Sequence, residues 1–337
     1  MTMTKKQKTD QATEITNIAK NKKNTVVLPT TLKVILESQR PCSGDKTEAP
    51  WLQQFILNHN IIVDKYKNMY VQVGASEDHS WVFTSHLDTV ENKRDLEKQK
   101  KLVMTGDILS VQGGGILGAD DGAGIWLMCE MINNNVPGTY VFFQDEEMGR
   151  LGSEDAKKRS VLAWDRFDFM ISLDRMGTTD IVDHQMGERC CSPTFVKGLG
   201  KLLGMGHTGA DGSYTDSYTF ADTIPECTNL SVGYYAQHSK QECLDVKHII
   251  ELRDKLISVD WSSLVKHCER DPQVIEADWW DMYGVSNDPD YKYSSWVNND
   301  IAEKYPNLVE MTEYELENWV YVNPTEAAAI LFDVLNS

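Results

Sequence analysis

The chain has 337 residues, 41% of them hydrophobic and 25% charged, which fits an ordinary globular protein with a full core and allows one large domain or two modest ones. Its 33 basic and 51 acidic residues leave a net charge of −18; this argues against nucleic acid or an anionic membrane surface as the main partner and favours metals or protonated amines. No run approaches the roughly eighteen apolar residues of a membrane span, the start lacks the apolar core of a signal peptide, and seven cysteines without paired metal-ligand spacing fit reduced thiols, so a cytoplasmic location is expected.

Residues 1–24 carry six Lys against one Asp and one Glu, and read as a flexible basic tail. Thr31–Ser38 and Ala49–Asn58 have helical spacing of apolar residues, and Tyr70–Val73 alternates as a strand does. The apolar run Trp81–Thr84 leads into Ser85-His86-Leu87-Asp88-Thr89-Val90. A turn-rich stretch, 107–118, contains a match to GxGxxG at Gly113–Gly118, discounted because no strong parallel strand precedes it and two acidic residues follow. Asp120-Asp121-Gly122-Ala123-Gly124 then opens a helix with Ile125, Met128, Cys129 and Ile132 on one face, and its small residues allow a close approach to a sheet.

Three more apolar runs end in polar residues: Tyr140–Phe143 before Gln144-Asp145-Glu146-Glu147, Phe167–Leu173 before Asp174, and Leu230–Tyr235 before Ala236-Gln237-His238. Strand-like runs alternate with helical ones up to a last helix bearing Ile249, Leu252, Leu256, Trp261 and Leu264. This predicts an α/β domain over 25–270: a mostly parallel central sheet with helices on both faces. Residues 271–337 differ. They hold 14 acidic and 2 basic residues, yet Trp279, Trp280, Trp296 and Trp319 and two capped helix starts, at Thr312 and Asn323, predict a small packed helical extension.

A lone His at a strand end is usually structural, but two His and several carboxylates at successive strand ends form a constellation. The segments HLDTV, GADDGAG, FFQDEEMGRLGS, ISLDRMG and GYYAQHSKQE, in that order over residues 26–268, resemble the co-catalytic zinc exopeptidases, a superfamily of aminopeptidases, carboxypeptidases and related amide hydrolases. The resemblance implies that His86 and Asp174 hold one divalent ion, Glu147 and His238 a second, and Asp120 both; zinc is the first expectation, with manganese and cobalt as alternatives. It also implies Glu146 as general base, a metal-bridging hydroxide as nucleophile, and a cis peptide after the bridging Asp.

Elementary chemistry agrees with that allocation. Two imidazoles and three carboxylates offset the repulsion between two cations and leave room for water. Adjacent residues in extended backbone point to opposite sides, so Glu146 and Glu147 are expected to do different jobs, one at the ion and one at the water. Asp88 is placed to accept the outer N–H of His86 and fix its tautomer. Asp120 and Asp121 as plain helix caps, or Glu146 and Glu147 as a solvated loop, are the bland alternatives. His184, His207, Arg189 and Asp216 are weaker candidates, read as structural.

Only 63 residues separate Asp174 from His238, too few for the dimerisation lid of carboxypeptidase-like members, and 33 separate His86 from Asp120, too few for the inserted domain of the self-compartmentalising aminopeptidases. The pattern is most similar to the single-domain aminopeptidases, except that Arg175 stands where those enzymes carry an apolar residue; it is a candidate substrate contact. The expectation is an aminopeptidase acting on peptides, with no nucleic-acid or membrane partner and an oligomeric state the sequence leaves open. A carboxypeptidase or N-acyl-amino-acid amidohydrolase is the alternative, and a non-catalytic binding module on the same scaffold a further one.

Overall fold

The computed structural model describes residues 26–42, 45–90 and 100–272, all within one compact unit, Met1–Glu276. The basic tail expected over 1–24 and the extension expected over 271–337, with its four Trp and two capped helix starts, lie outside the described residues except for 271 and 272. Among the described residues no helix is long and apolar enough to cross a membrane.

Helices α1 (Thr30–Glu37) and α2 (Ala49–Gln53) precede an antiparallel pair, β1 (Ile62–Val63) and β2 (Met69–Val73). Strand β3 (Trp81–His86), the hairpin of β4 (Leu102–Thr105) and β5 (Ile108–Val111), and the long helix α3 (Ala119–Asn133) follow. Then come β6 (Gly138–Phe143), α4 (Leu151–Lys158), β7 (Phe169–Arg175), β8 (Asp180–Gln185), β9 (Glu188–Arg189), α5 (Pro193–Leu203) and β10 (Thr208–Gly212). The chain continues through β11 (Glu226–Ser231), β12 (Tyr234–Tyr235), β13 (Cys243–Asp245), α6 (Val246–Ser258) and a 3-10 helix, Trp261–His267.

The main sheet runs β1-β2-β6-β3-β7-β11-β8-β10, with β9 paired to β8. Its centre, β6-β3-β7-β11, is wholly parallel, while β2 and β8 flank that centre antiparallel. Helices cover both sides, as the α/β alternation predicts. Strands β3 and β6 are buried along their whole length, which explains why they read as continuous apolar runs rather than alternating ones. Parallel neighbours place their carboxyl ends at one edge of the sheet. The ends of β3, β6 and β7 carry His86, Glu146, Glu147 and Asp174 there.

Helix α3 departs from the single apolar face expected of it: every residue from Ala119 to Ile132 except Glu130 is buried. It is wedged between α1, α6 and strands β3 and β7, and Trp126 Nε1 donates to Thr31 Oγ1 at 3.0 Å. Its approach to β7 depends on Gly124, where a Cβ would lie 2.2 Å from the carbonyl of Leu173. Helices α5 and α6 start with side-chain caps. Ser192 Oγ accepts from Phe195 N to start α5, with Pro193 in the first turn and Gly204 left-handed at the end, and Asp245 accepts from His248 N to start α6.

Three further sequence readings are corrected. The helix expected over 49–58 stops at Gln53, because the Gln53 side chain donates to the carbonyls of Ile56 and His59 and the chain turns. The stretch 107–118 is a hairpin strand before it is a turn. The apolar run 230–235 is two strands, because Gly233, at φ 103°, redirects the chain out of the main sheet. Its second part, β12, joins an antiparallel sheet of order β12-β13-β5-β4.

Candidate metal centre

The residues expected to bind metal converge. Nε2 of His86 lies 3.0 Å from Asp120 Oδ1 and 3.6 Å from Asp174 Oδ1. Nε2 of His238 lies 3.0 Å from Asp120 Oδ2 and 3.0 Å from Glu147 Oε1. The two oxygens of one carboxylate thus face two imidazoles, each with a further carboxylate beside it.

The donor set has a chemical requirement. Nδ1 of His86 is 2.9 Å from the carbonyl oxygen of Asp88, which can only accept, so Nδ1 carries a proton and Nε2 points into a nest of carboxylate oxygens. Six acceptor atoms gathered at such distances need positive charge between them, supplied by protons or by cations. The titration behaviour expresses the same demand. Burial works against a charged His86, but the carboxylates of Asp174, Asp120 and Asp88 hold it well above its ordinary value. Hydrogen bonds donated to the carboxylates of Asp120 and Glu147 push His238 up to about 11. Burial opposes ionisation of Asp120 too, yet contacts with His238 and His86 leave it below the usual carboxylate range. Burial and then Asp120 raise Glu147 to about 7, and the same two causes raise Asp174. Divalent ions fit this set.

Asp174 and the turn that carries Asp120 are held from behind. Thr215 Oγ1 donates to Asp174 Oδ2 at 2.7 Å, and the Tyr234 hydroxyl donates to Asp174 Oδ1 at 3.1 Å. Asn229 exchanges hydrogen bonds with the backbone of Asp174 on both sides. Glu242, 1% exposed, accepts from the backbone N–H groups of residues 117–120 at 2.7–3.2 Å. Sequence reasoning missed Tyr234, Asn229 and Glu242, and gave Thr215 no role.

Asp88 acts differently from its expected role. Its carbonyl, not its carboxylate, makes the short bond to His86; the carboxylate stands 3.5 Å from Nδ1. The carboxylate accepts instead from the N–H groups of Glu146, at 3.0 Å, and Glu147, at 3.2 Å. The glutamates occupy a turn after left-handed Asp145 rather than extended backbone, so this grip on their amides sets their directions, not strand alternation. Glu147 turns to His238; Glu146 lines the cavity beside Asp120 and Asp174. Burial, ahead of the neighbouring carboxylates, holds Glu146 well above the usual range.

Asp121 also lies within 4.8 Å of donor atoms of His86 and Asp174. Its oxygens are engaged by Gly124 N at 3.0 Å and His86 N at 3.2 Å, so it caps α3 and ties it to β3. The Asp120-Asp121 peptide is cis. Arg175 lines the cavity, but Nε and Nη2 donate to Asp180 Oδ2 at 3.1 and 3.0 Å. Among the weaker candidates, Asp216 lies near the centre, where its charge helps to raise Glu146. His184 pairs with Asp183 on β8, His207 packs beside His248, Arg189 sits on β9, and buried Asp216 is raised to about 7 by burial.

No family model and no curated protein matches the chain. Solved structures do. Aminopeptidase PepT from Bacillus cereus ATCC 10987 matches with a TM-score of 0.55 at 15% identity over 71% of this chain and 96% of that one. A tripeptidase from Staphylococcus aureus subsp. aureus Mu50 gives 0.52 at 15% identity over 70% and 96%. The Pyrococcus horikoshii TET1 peptidase, which can assemble into a tetrahedron or a large octahedral shell, gives 0.53 at 15% identity over 68% and 98%. With its parallel centre and helix-covered faces, the chain has the α/β fold of these peptidase structures.

Proposed function

We propose that this chain is a metal-dependent exopeptidase that removes residues from the free amino termini of peptides. The observation that carries the reading is Asp120, whose two carboxylate oxygens stand 3.0 Å from the Nε2 atoms of His86 and His238. His86 and Asp174 would hold one divalent ion, Glu147 and His238 a second, and Asp120 both. Ions bound there, zinc before manganese or cobalt, would acidify a water and polarise the scissile carbonyl.

The protein's own groups do the rest. Glu146, raised by burial and facing the cavity, takes the proton of the attacking water and returns it to the departing amine. Asp88 aims Glu146 and Glu147 through their amides. Thr215 and Tyr234 fix the carboxylate of Asp174. The free amine of a peptide enters a cavity rich in carboxylates, which favours an ammonium over an anionic substrate end.

One observation favours a second reading, a carboxypeptidase or N-acyl-amino-acid amidohydrolase: Arg175, on the cavity wall, is a guanidinium of the kind that grips carboxylates. A non-catalytic binding module is disfavoured by the presence of Glu146 beside the complete donor set. The test is elemental analysis of the purified protein together with aminoacyl anilides, N-acetylated amino acids and amino-blocked peptides as substrates. Bound divalent metal and turnover of the free-amine substrates are expected. A protein that neither holds nor responds to zinc, manganese or cobalt overturns the reading.

A further inference from the structure

Glu242 does more than fill a helix end. Its carboxylate receives four consecutive backbone N–H groups: Leu117 at 2.8 Å and Gly118 at 3.2 Å on Oε2, Ala119 at 2.7 Å and Asp120 at 3.2 Å on Oε1. The first two of these residues precede α3 and the last two open it, and Gly118 is left-handed, at φ 73°. The convergence of the four N–H groups on one point therefore belongs to the turn as a whole. Glu242 comes from the loop that carries His238, and that loop is docked again where Gly115 N donates to the carbonyl of Lys240 at 3.0 Å. Two segments more than a hundred residues apart, one bearing Asp120 and the other His238, are thus joined by one buried carboxylate.

We infer that Glu242 is the positioning residue that sets the separation of Asp120 and His238, and so the affinity of the centre for its cation. This rests on the reading of Asp120 and His238 as metal ligands. The geometry demands such a rivet. His238 is half-exposed and left-handed, at φ 58°, in a loop with little regular structure, whereas Asp120 is buried at the start of a packed helix. Without Glu242, four amide donors would lose their acceptor and the turn would have to rearrange to satisfy them. The oxygens of Asp120 would move with it.

The molecule supplies a matched control. Glu226, at the start of β11, is also fully buried and also receives four donors: Ser192 N and Oγ, Glu269 N and Arg270 N, at 2.6–3.0 Å. It pairs in register with Phe169, five residues before Asp174, so it sits about 16 Å from the metal-bearing edge of the sheet. Glu242→Gln and Glu226→Gln remove the same charge from the same kind of socket. Only the first is expected to change the centre.

The experiment measures zinc affinity of the purified full chain by competition with a chromophoric chelator, alongside thermal unfolding with the metal stripped. Glu242→Gln should bind zinc about 10- to 100-fold more weakly, the loss typical when the support behind a ligand is removed. Glu226→Gln should bind within about twofold of the parent at a comparable fall in unfolding temperature. Excess zinc should restore turnover of Glu242→Gln. Equal weakening by both variants, or none by Glu242→Gln, would overturn the inference while leaving the exopeptidase reading intact; failure of the parent chain to bind zinc would remove the reading itself. Should Glu242→Gln not fold, Glu242→Asp, which keeps the charge but withdraws it by one methylene, faces the same outcomes.

Discussion

Nε2 of His238 stands 3.0 Å from Oε1 of Glu147, across 91 positions of sequence, and the His238 side chain is 50% exposed while that of His86 is 1% exposed. The two halves of the centre therefore differ in their access to water. An ion held by Glu147 and His238, as proposed, would be open to solvent ligands; one held by buried His86 and Asp174 would be shielded from them. Removal of metal by a chelator should proceed in a fast and a slow step, followed by stopped-flow absorbance. His238→Ala should abolish the fast step and spare the slow one. A single step in the parent protein, or loss of both steps in the variant, would contradict this division.

The proposed function gives the neighbours Glu146 and Glu147 separate tasks. Glu146→Gln keeps the size of the side chain and touches neither imidazole, so metal content should be unchanged while kcat falls by a factor of roughly a hundred to ten thousand. Glu147→Gln should lose metal first. Elemental analysis beside steady-state kinetics reads both, and a Glu146→Gln protein stripped of its metal would exchange the two roles.

The parts of this architecture that were legible in the sequence are those with local signals. Strands β3, β6 and β7 announce themselves as apolar runs because both of their faces are covered, and each ends where a polar ligand must reach the sheet edge. The placement of His86 and Asp174 at the sheet edge could be read that way. Glu242 could not, because its partners lie 122 to 125 residues away and nothing in Gln241-Glu242-Cys243 records them. The same holds for Tyr234, whose hydroxyl reaches Asp174 across 60 positions. The break at Gly233 was hidden by flanking apolar residues that suit either sheet. Asp88 misled in a different way: the spacing from His86 was right, but which of its oxygens does the work depends on a turn that two residues of spacing do not specify.

A buried histidine away from the centre sets an acid limit. His248, 8% exposed, is lowered to about 4, first by burial and then by the nearby His207 and Lys247. Its folded-state value lies below the ordinary 6.5, so the unfolded chain binds the extra proton more readily. The stability it contributes is present above about pH 6.5 and is lost as pH falls towards 4, at most about 3 kcal/mol over that window. Denaturant unfolding at pH 4, 5, 6 and 7 should show His248→Gln losing less stability on acidification than the parent, with metal-site contributions cancelling in the comparison. Parallel pH dependences would remove His248 from the account.

The direction in which substrate is read turns on Arg175. Its guanidinium borders the cavity, but Asp180 takes Nε and Nη2, and Nη2 also donates to the carbonyl of Asp211 at 3.3 Å. A guanidinium already matched by a carboxylate has little charge left for a substrate anion, and a substrate carboxylate would have to displace Asp180 or share Arg175 with it. The surrounding carboxylates instead attract an ammonium. Leucyl and alanyl anilides should therefore be cleaved, N-acetylated amino acids and amino-blocked peptides left intact, and Arg175→Ala should keep that order of preference with kcat within about tenfold of the parent. Kinetics on both substrate sets decide the matter. Turnover of the blocked substrates alone, abolished by Arg175→Ala, would show that the guanidinium releases Asp180 to hold a substrate carboxylate, and the protein would then be a carboxypeptidase or an N-acyl-amino-acid amidohydrolase.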